Sequence, residues 1–129
     1  MNKKLTCACS LILAVLFIAG CFASYEEVLD PPSWIMGTWT SSYSGITFRF
    51  YSDNVKYEDE TIIDFKRSYT SDMVSDSSTD TVYRITVQDG VQTTEYVFTK
   101  SDDSNLSYAI YTDGALTRSG LLSRETTTI

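Results

Sequence analysis

Apolar residues recur at every second position through long stretches after Ile46, and no proline follows Pro32. Period-two alternation buries one side of an extended strand and leaves the other in water. A backbone without proline keeps its N–H donors, as the ladders of a sheet require. Helix-period spacing is hard to find beyond the first twenty residues, and Thr, Tyr, Val and Ile, the residues that strands favour, dominate. The chain is therefore expected to be all-β.

The turns fall at regular intervals. Ile46, Phe48 and Phe50 alternate with Thr47, Arg49 and Tyr51, and Ser52-Asp53-Asn54 turns the chain into Val55 to Glu60. Thr61 to Tyr69 reads as a further strand with Ile63, Phe65 and Tyr69 on one face. The polar stretch Ser71 to Asp80 reads as the longest loop. Tyr83, Ile85 and Val87 then alternate up to Asp89-Gly90, which suits a type I′ hairpin turn. The return strand runs from Val91 to Lys100, with Tyr96 and Phe98 pointing inward. Ser101 to Asn105 turns the chain again, Leu106, Tyr108 and Ile110 alternate, and Asp113-Gly114 leads into a last strand, Ala115 to Arg124. Seven to nine short strands with turns every eight to twelve residues predict an antiparallel barrel or sandwich.

The N-terminus has a different pattern. Lys3 and Lys4 precede an apolar stretch from Leu5 to Ala19, and small residues close it at Ala19-Gly20. These are the parts of a secretory signal peptide, and the apolar stretch is shorter than the ~20 residues that span a hydrocarbon core. The ending Ile18-Ala19-Gly20-Cys21 resembles the lipobox of bacterial lipoproteins. That resemblance implies that the Cys21 thiol receives a diacylglycerol, that the signal 1–20 is removed, and that the new amino terminus is acylated, commonly with palmitate. Several acyl chains on one cysteine hold a protein to a membrane essentially permanently. Phe22 stands where inner-membrane retention signals of such lipoproteins place aspartate, which implies the outer membrane in a diderm host. Residues 21–33, with both prolines, Pro31 and Pro32, read as a lipidated tether, 34–124 as the folded domain and 125–129 as a frayed tail.

The segment before Cys21 holds two of the ten basic residues and none of the seventeen acidic ones, leaving eight basic against seventeen acidic groups, a net charge of −9. Such a balance repels nucleic-acid phosphates, so no nucleic-acid partner is expected.

Gly37-Thr38-Trp39 resembles the G-x-W motif on the first strand of lipocalins and small lipocalin-like bacterial lipoproteins. The resemblance implies a small up-and-down β-barrel whose end is closed by Trp39, with an arginine of the last strand, Arg118 or Arg124, packed over it. Tyr111-Thr112-Asp113-Gly114 is similar to the family's T-D-Y motif, with Gly114 in place of tyrosine. The same resemblance implies a small apolar or amphipathic ligand in the barrel mouth, for which Trp39, Phe48, Phe50, Phe65, Tyr83, Tyr96, Phe98 and Tyr108 are the inward candidates. A short chain of this kind is also compatible with a filled barrel or sandwich whose surface binds a protein partner. Eight strands enclose room for side chains or for one small ligand.

Catalysis is not expected. The chain has no histidine, and Cys21 is the one cysteine after the signal. The usual general base, zinc ligands and thiol nucleophile are thereby missing. The acidic clusters Glu58-Asp59-Glu60, Asp72 to Asp80 and Ser101 to Asn105 do not match a calcium loop and read as solvated turns. No metal and no cofactor are expected.

Overall fold

Each alternating run forms a strand, and the hairpin turns between them dictate an antiparallel meander. The computed structural model describes residues 29–125. The signal 1–20, the lipidation position Cys21 and the tail after Glu125 lie outside the described residues. The strands are β1 (Gly37–Thr40), β2 (Thr47–Phe50), β3 (Val55–Glu58), β4 (Ile62–Asp64), β5 (Val74–Ser78), β6 (Val82–Asp89), β7 (Gln92–Lys100), β8 (Asn105–Thr112) and β9 (Ala115–Arg124). One helical turn, α1 (Phe65–Ser68), and 3-10 turns at Ser33–Ile35 and Ser71–Met73 complete the fold.

All nine strands belong to one antiparallel sheet in the order β4-β3-β2-β1-β9-β8-β7-β6-β5. The sheet curls into a half-barrel around a single hydrophobic core. The all-β, up-and-down reading therefore holds, with one refinement. The edge strands β4 and β5 do not pair with each other, so hydrogen bonds do not close the barrel. Among the described residues the β1–β4 and β5–β9 halves meet in the sheet through Trp39↔Arg124 and Thr40↔Ser123, extended by one bond from the Glu125 N–H to the Thr38 carbonyl, whereas β6 and β7 share eight pairs.

The alternation sorts faces as expected. Tyr83, Ile85 and Val87 on β6, Tyr96 and Phe98 on β7, and Leu106, Tyr108 and Ile110 on β8 are all buried. Four local readings are corrected. First, Thr61 to Tyr69 is not one strand: β4 ends at Asp64 and α1 follows. The Asn54 side chain turns the chain there, accepting from the Lys66 N–H at 2.9 Å and donating to Asp64 at 2.8 Å. Phe65 and Tyr69 thus meet at helical, four-residue spacing, with ring centroids 5.5 Å apart.

Second, the polar stretch from Ser71 contains β5, paired with β6 from Val74↔Val87 to Ser78↔Tyr83. An edge strand needs only one neighbour, and its polarity discourages further pairing. Third, the described end of the expected tether, residues 29–33, packs on the domain. Leu29 is buried, and the Asp30 N–H donates to the Asp76 carboxylate at 2.7 Å. Leu29 lies with Phe65, Tyr69 and Val74, between the two unpaired edges, and closes the gap that hydrogen bonds leave open.

Fourth, the β6–β7 loop is Gly90-Val91, between paired Asp89 and Gln92, and only Gly90 takes positive φ, +64°. Glycine at the first loop position is the requirement of type II′, so the turn is shifted by one residue from the type I′ expectation. Asp113-Gly114, with φ of 52° and 85°, has the positive angles of type I′ instead. Valine at position 90 is strained by about 1–2 kcal/mol or more in the left-handed region. Gly90→Val should therefore lower the midpoint of a thermal melt, while Val91→Thr, at a 99 % exposed position, should leave it unchanged. Equal midpoints for Gly90→Val and the parent would show that the turn is placed wrongly.

Candidate functional site

All eight inward candidates, Trp39, Phe48, Phe50, Phe65, Tyr83, Tyr96, Phe98 and Tyr108, are buried. Seven of them, all but Trp39, join Tyr57 and Tyr69 in one network of ring contacts. Phe48 sits at its centre, 4.7 Å from Tyr57, 4.9 Å from Phe98 and 5.5 Å from Tyr108 between centroids. Phe50 meets Phe98 edge-on at 5.0 Å, and Phe65 meets Tyr96 at 5.1 Å. These separations are those of favourable aromatic pairs, each contributing about 0.5–1.5 kcal/mol beyond its burial. The rings occupy the interior by packing on one another.

Gly120 helps them do so. A Cβ at Gly120 would lie 3.0 Å from Cε1 of Tyr108, its partner across the β8–β9 ladder. A larger residue there would make the Tyr108 ring give way by a few tenths of an ångström.

Trp39 closes one end. Its indole Nε1 donates to the Ile35 carbonyl at 2.8 Å, and the Arg124 guanidinium lies 4.3 Å from its ring centroid. Arg124 is pinned in that position by donating to the carbonyls of Met36 at 2.5 Å, Trp34 at 2.7 Å and Asp103 at 3.1 Å. Gly37 adopts φ +109°, which strains any other residue, and a Cβ there would sit 3.3 Å from Arg124 Nη1. Of the two arginines considered for this position, Arg124 occupies it. Trp34 is only partly buried and donates to the Thr79 carbonyl at 3.0 Å.

Arg118 has a different role, which sequence reasoning missed. From β9 it reaches across to Asp59, with which it forms an ion pair, and to the Tyr57 hydroxyl at 3.4 Å. The pairing with Asp59 raises the Arg118 pKa, and burial raises that of Tyr57. Asp59 lies far from Arg118 in sequence, and no local pattern announces the pair.

The meander sends four turns, β1–β2, β3–β4, β6–β7 and β8–β9, off the same side of the sheet. Each carries an exposed apolar side chain at or beside it: Tyr43, Ile62, Val91 and Leu116. An aromatic ring inside Ser42-Tyr43-Ser44-Gly45 and a valine straight after Gly90 were the available sequence signals.

Among the described residues, two hollows lie beside the core. One of about 20 Å³ beneath Leu29, Phe65 and Tyr69 has room for about one water. The other is an open groove of about 420 Å³ along Tyr51, Asn54, Lys56 and Asp64. Its charges answer one another: Lys66 pairs with Asp53 at 2.6 Å, and Lys56 approaches Asp64 at 3.9 Å. Within Ser101 to Asn105, the Asp102 carboxylate accepts from the Ser104 N–H and the Asn105 amide, which lowers its pKa. Among the described residues no group of three or more acidic, Cys or His side chains is placed to hold a metal ion, and no helix is long and apolar enough to cross a membrane.

No protein-family model, no curated protein and no solved structure matches this chain.

Truncating a buried large aromatic costs about 3–5 kcal/mol. Trp39→Ala should show a loss of that size in urea melts and Trp34→Ala clearly less; equal, small losses would contradict the end-closing role. Burial raises the phenol pKa values of Tyr83 and Tyr96, and the Tyr83 hydroxyl donates to Asp76 at 2.7 Å. A group whose pKa is raised by folding contributes its full stability below its unfolded value, about 10, and loses it as pH rises further. Stability should thus fall from about pH 10 upward, and Tyr83→Phe should flatten the fall. An unchanged slope in melts taken from pH 8 to 11 would contradict this.

Proposed function

We propose that this chain is a non-enzymatic lipoprotein of a bacterial envelope, anchored through lipid on Cys21, whose domain is an interaction module for a protein partner. The filled interior is the observation that carries the choice of partner. Apolar ligands occupy pockets of about 300–1,000 Å³, and here aromatic rings contact one another in the space such a pocket would need. Binding then falls to the surface, where the turns bearing the exposed Tyr43, Ile62, Val91 and Leu116 are the favoured positions. Loop tips on a rigid sheet are common sites of recognition.

The anchor rests on Lys3, Lys4, the apolar stretch from Leu5 and the lipobox-like Ile18-Ala19-Gly20-Cys21. A lipocalin-like ancestry is supported by Gly37-Thr38-Trp39 and by Arg124 stacked on Trp39. Under that ancestry the cavity has been given up and the end-closing pair retained.

Two experiments test this reading. Metabolic labelling with a fatty-acid probe should mark the parent chain and leave Cys21→Ser unlabelled; label on Cys21→Ser would refute the anchor. Native mass spectrometry of the protein extracted from its host should give the mass of the chain and its acyl groups alone. A stoichiometric small molecule retained on it would overturn the filled-module reading in favour of a ligand in the barrel.

A further inference from the structure

The first described residues show which way the domain hangs from its anchor. Leu29 and Val74, the first residue of β5, line the same hollow. The Asp30 N–H donates to Asp76 in the middle of β5, and the Trp34 indole donates to the Thr79 carbonyl just past its end. Residues 29–34 therefore run alongside β5 in its own direction. β5 is antiparallel to β6, so it begins on the side of the sheet where the β6–β7 turn stands. The β1–β2, β3–β4 and β8–β9 turns leave from that side too. Traced backward from Trp34 to Leu29, the chain thus points toward the four turns. Cys21 precedes Leu29 by eight residues, a reach of at most roughly 28 Å for a fully extended chain.

The two sides of the sheet differ in chemistry. On the turn side, Tyr43 and Val91 are almost wholly exposed and Ile62 and Leu116 more than half exposed. On the other side, the turns at 79–81 and 101–104 consist of Thr, Asp and Ser alone. Tyr51, in the β2–β3 turn there, has Lys56 Nζ 5.6 Å from its ring centroid. The apolar side is thus the one toward which the chain to Cys21 points. Lipid itself is a poor occupant for it. Anionic headgroups are held by clustered Lys and Arg, each contributing about 1 kcal/mol. The four turns contain neither, and exposed Glu60, Asp89 and Asp113 stand beside their apolar residues. Apolar contacts with an acidic rim complement a protein surface whose apolar patch is rimmed by basic residues.

We propose that the turn side faces the membrane that holds Cys21, and that its partner is a protein embedded in that membrane, offering an apolar patch with a basic rim. The proposal rests on the lipid anchor and protein-partner reading above and names the partner's class. The short reach from Cys21 keeps the turns close to the bilayer, where the exposed loops of an embedded protein are the nearest surface.

Fluorophores on Val91→Cys and Ser101→Cys mark the two ends of β7, both exposed and about 30 Å apart along the strand. Each lipidated full chain, purified from its host membranes, is reconstituted into phosphatidylcholine vesicles that carry a headgroup-linked acceptor. Energy transfer from position 91 should be at least twofold that from position 101. Equal transfer, or more from position 101, in chains whose mass includes the acyl groups would overturn the orientation and leave the anchor standing. Chains without acyl groups would overturn the anchor, and the proposal with it. In intact host cells, a benzophenone side chain at position 43 should cross-link to a protein that alkaline carbonate leaves in the membrane. Glu60→Lys with Asp89→Lys, which reverses the rim charge, should cut that yield at least fivefold. Adducts with lipid or soluble protein alone, no adduct, or a yield unchanged by the reversal would overturn the choice of partner.

Discussion

The contact of Phe48 with Phe98 and Tyr108 holds this molecule together. The sheet joins its two halves through only two residue pairs between β1 and β9, and its outer edges never meet. Hydrogen bonding alone would leave the halves free to splay. Phe48, Phe50 and Tyr57 come from one half and Tyr83, Tyr96, Phe98 and Tyr108 from the other, and their rings meet across the halves at 4.9 to 6.3 Å. Burial of that apolar area, at about 25 cal/mol per Å², closes the half-barrel where the ladder does not. Leu29 and Phe65 serve the same end at the gap, covering the cluster between β4 and β5.

A core built this way constrains function. The rings that bridge the halves cannot also line a cavity without loosening the contacts that hold those halves together. Both arginines of β9 reinforce the arrangement, Arg124 over Trp39 at one end and Arg118 against Tyr57 and Asp59 across the sheet. Under the proposed function, recognition falls to the surface, where apolar side chains stand exposed at the turns. They stand out in a chain whose charge balance is strongly acidic.

Much of the fold was legible because it depends on period two and on turn chemistry. Tyr83-Ile85-Val87 and Leu106-Tyr108-Ile110 declare their buried faces, and Asp113-Gly114 declares its turn. The inward candidates were legible for the same reason, since alternation alone assigns a face. It does not say whether inward rings meet each other or a ligand, because that depends on how far apart the walls stand. β5 was hidden because an edge strand can be polar on both faces. α1 was hidden because the bend is imposed by Asn54, a residue distant in sequence from Lys66, and Leu29 because its burial needs a gap that only the assembled sheet creates.

The central claim is that the interior is filled by its own rings. Titration of the purified full chain with the apolar fluorophore N-phenyl-1-naphthylamine tests it most directly. A filled interior predicts no saturable rise in fluorescence at neutral pH, where the protein is folded. A saturable, one-to-one rise that is lost on replacing Phe98 or Tyr96 by a smaller residue, in variants shown to remain folded, would contradict the account and place a ligand among the rings.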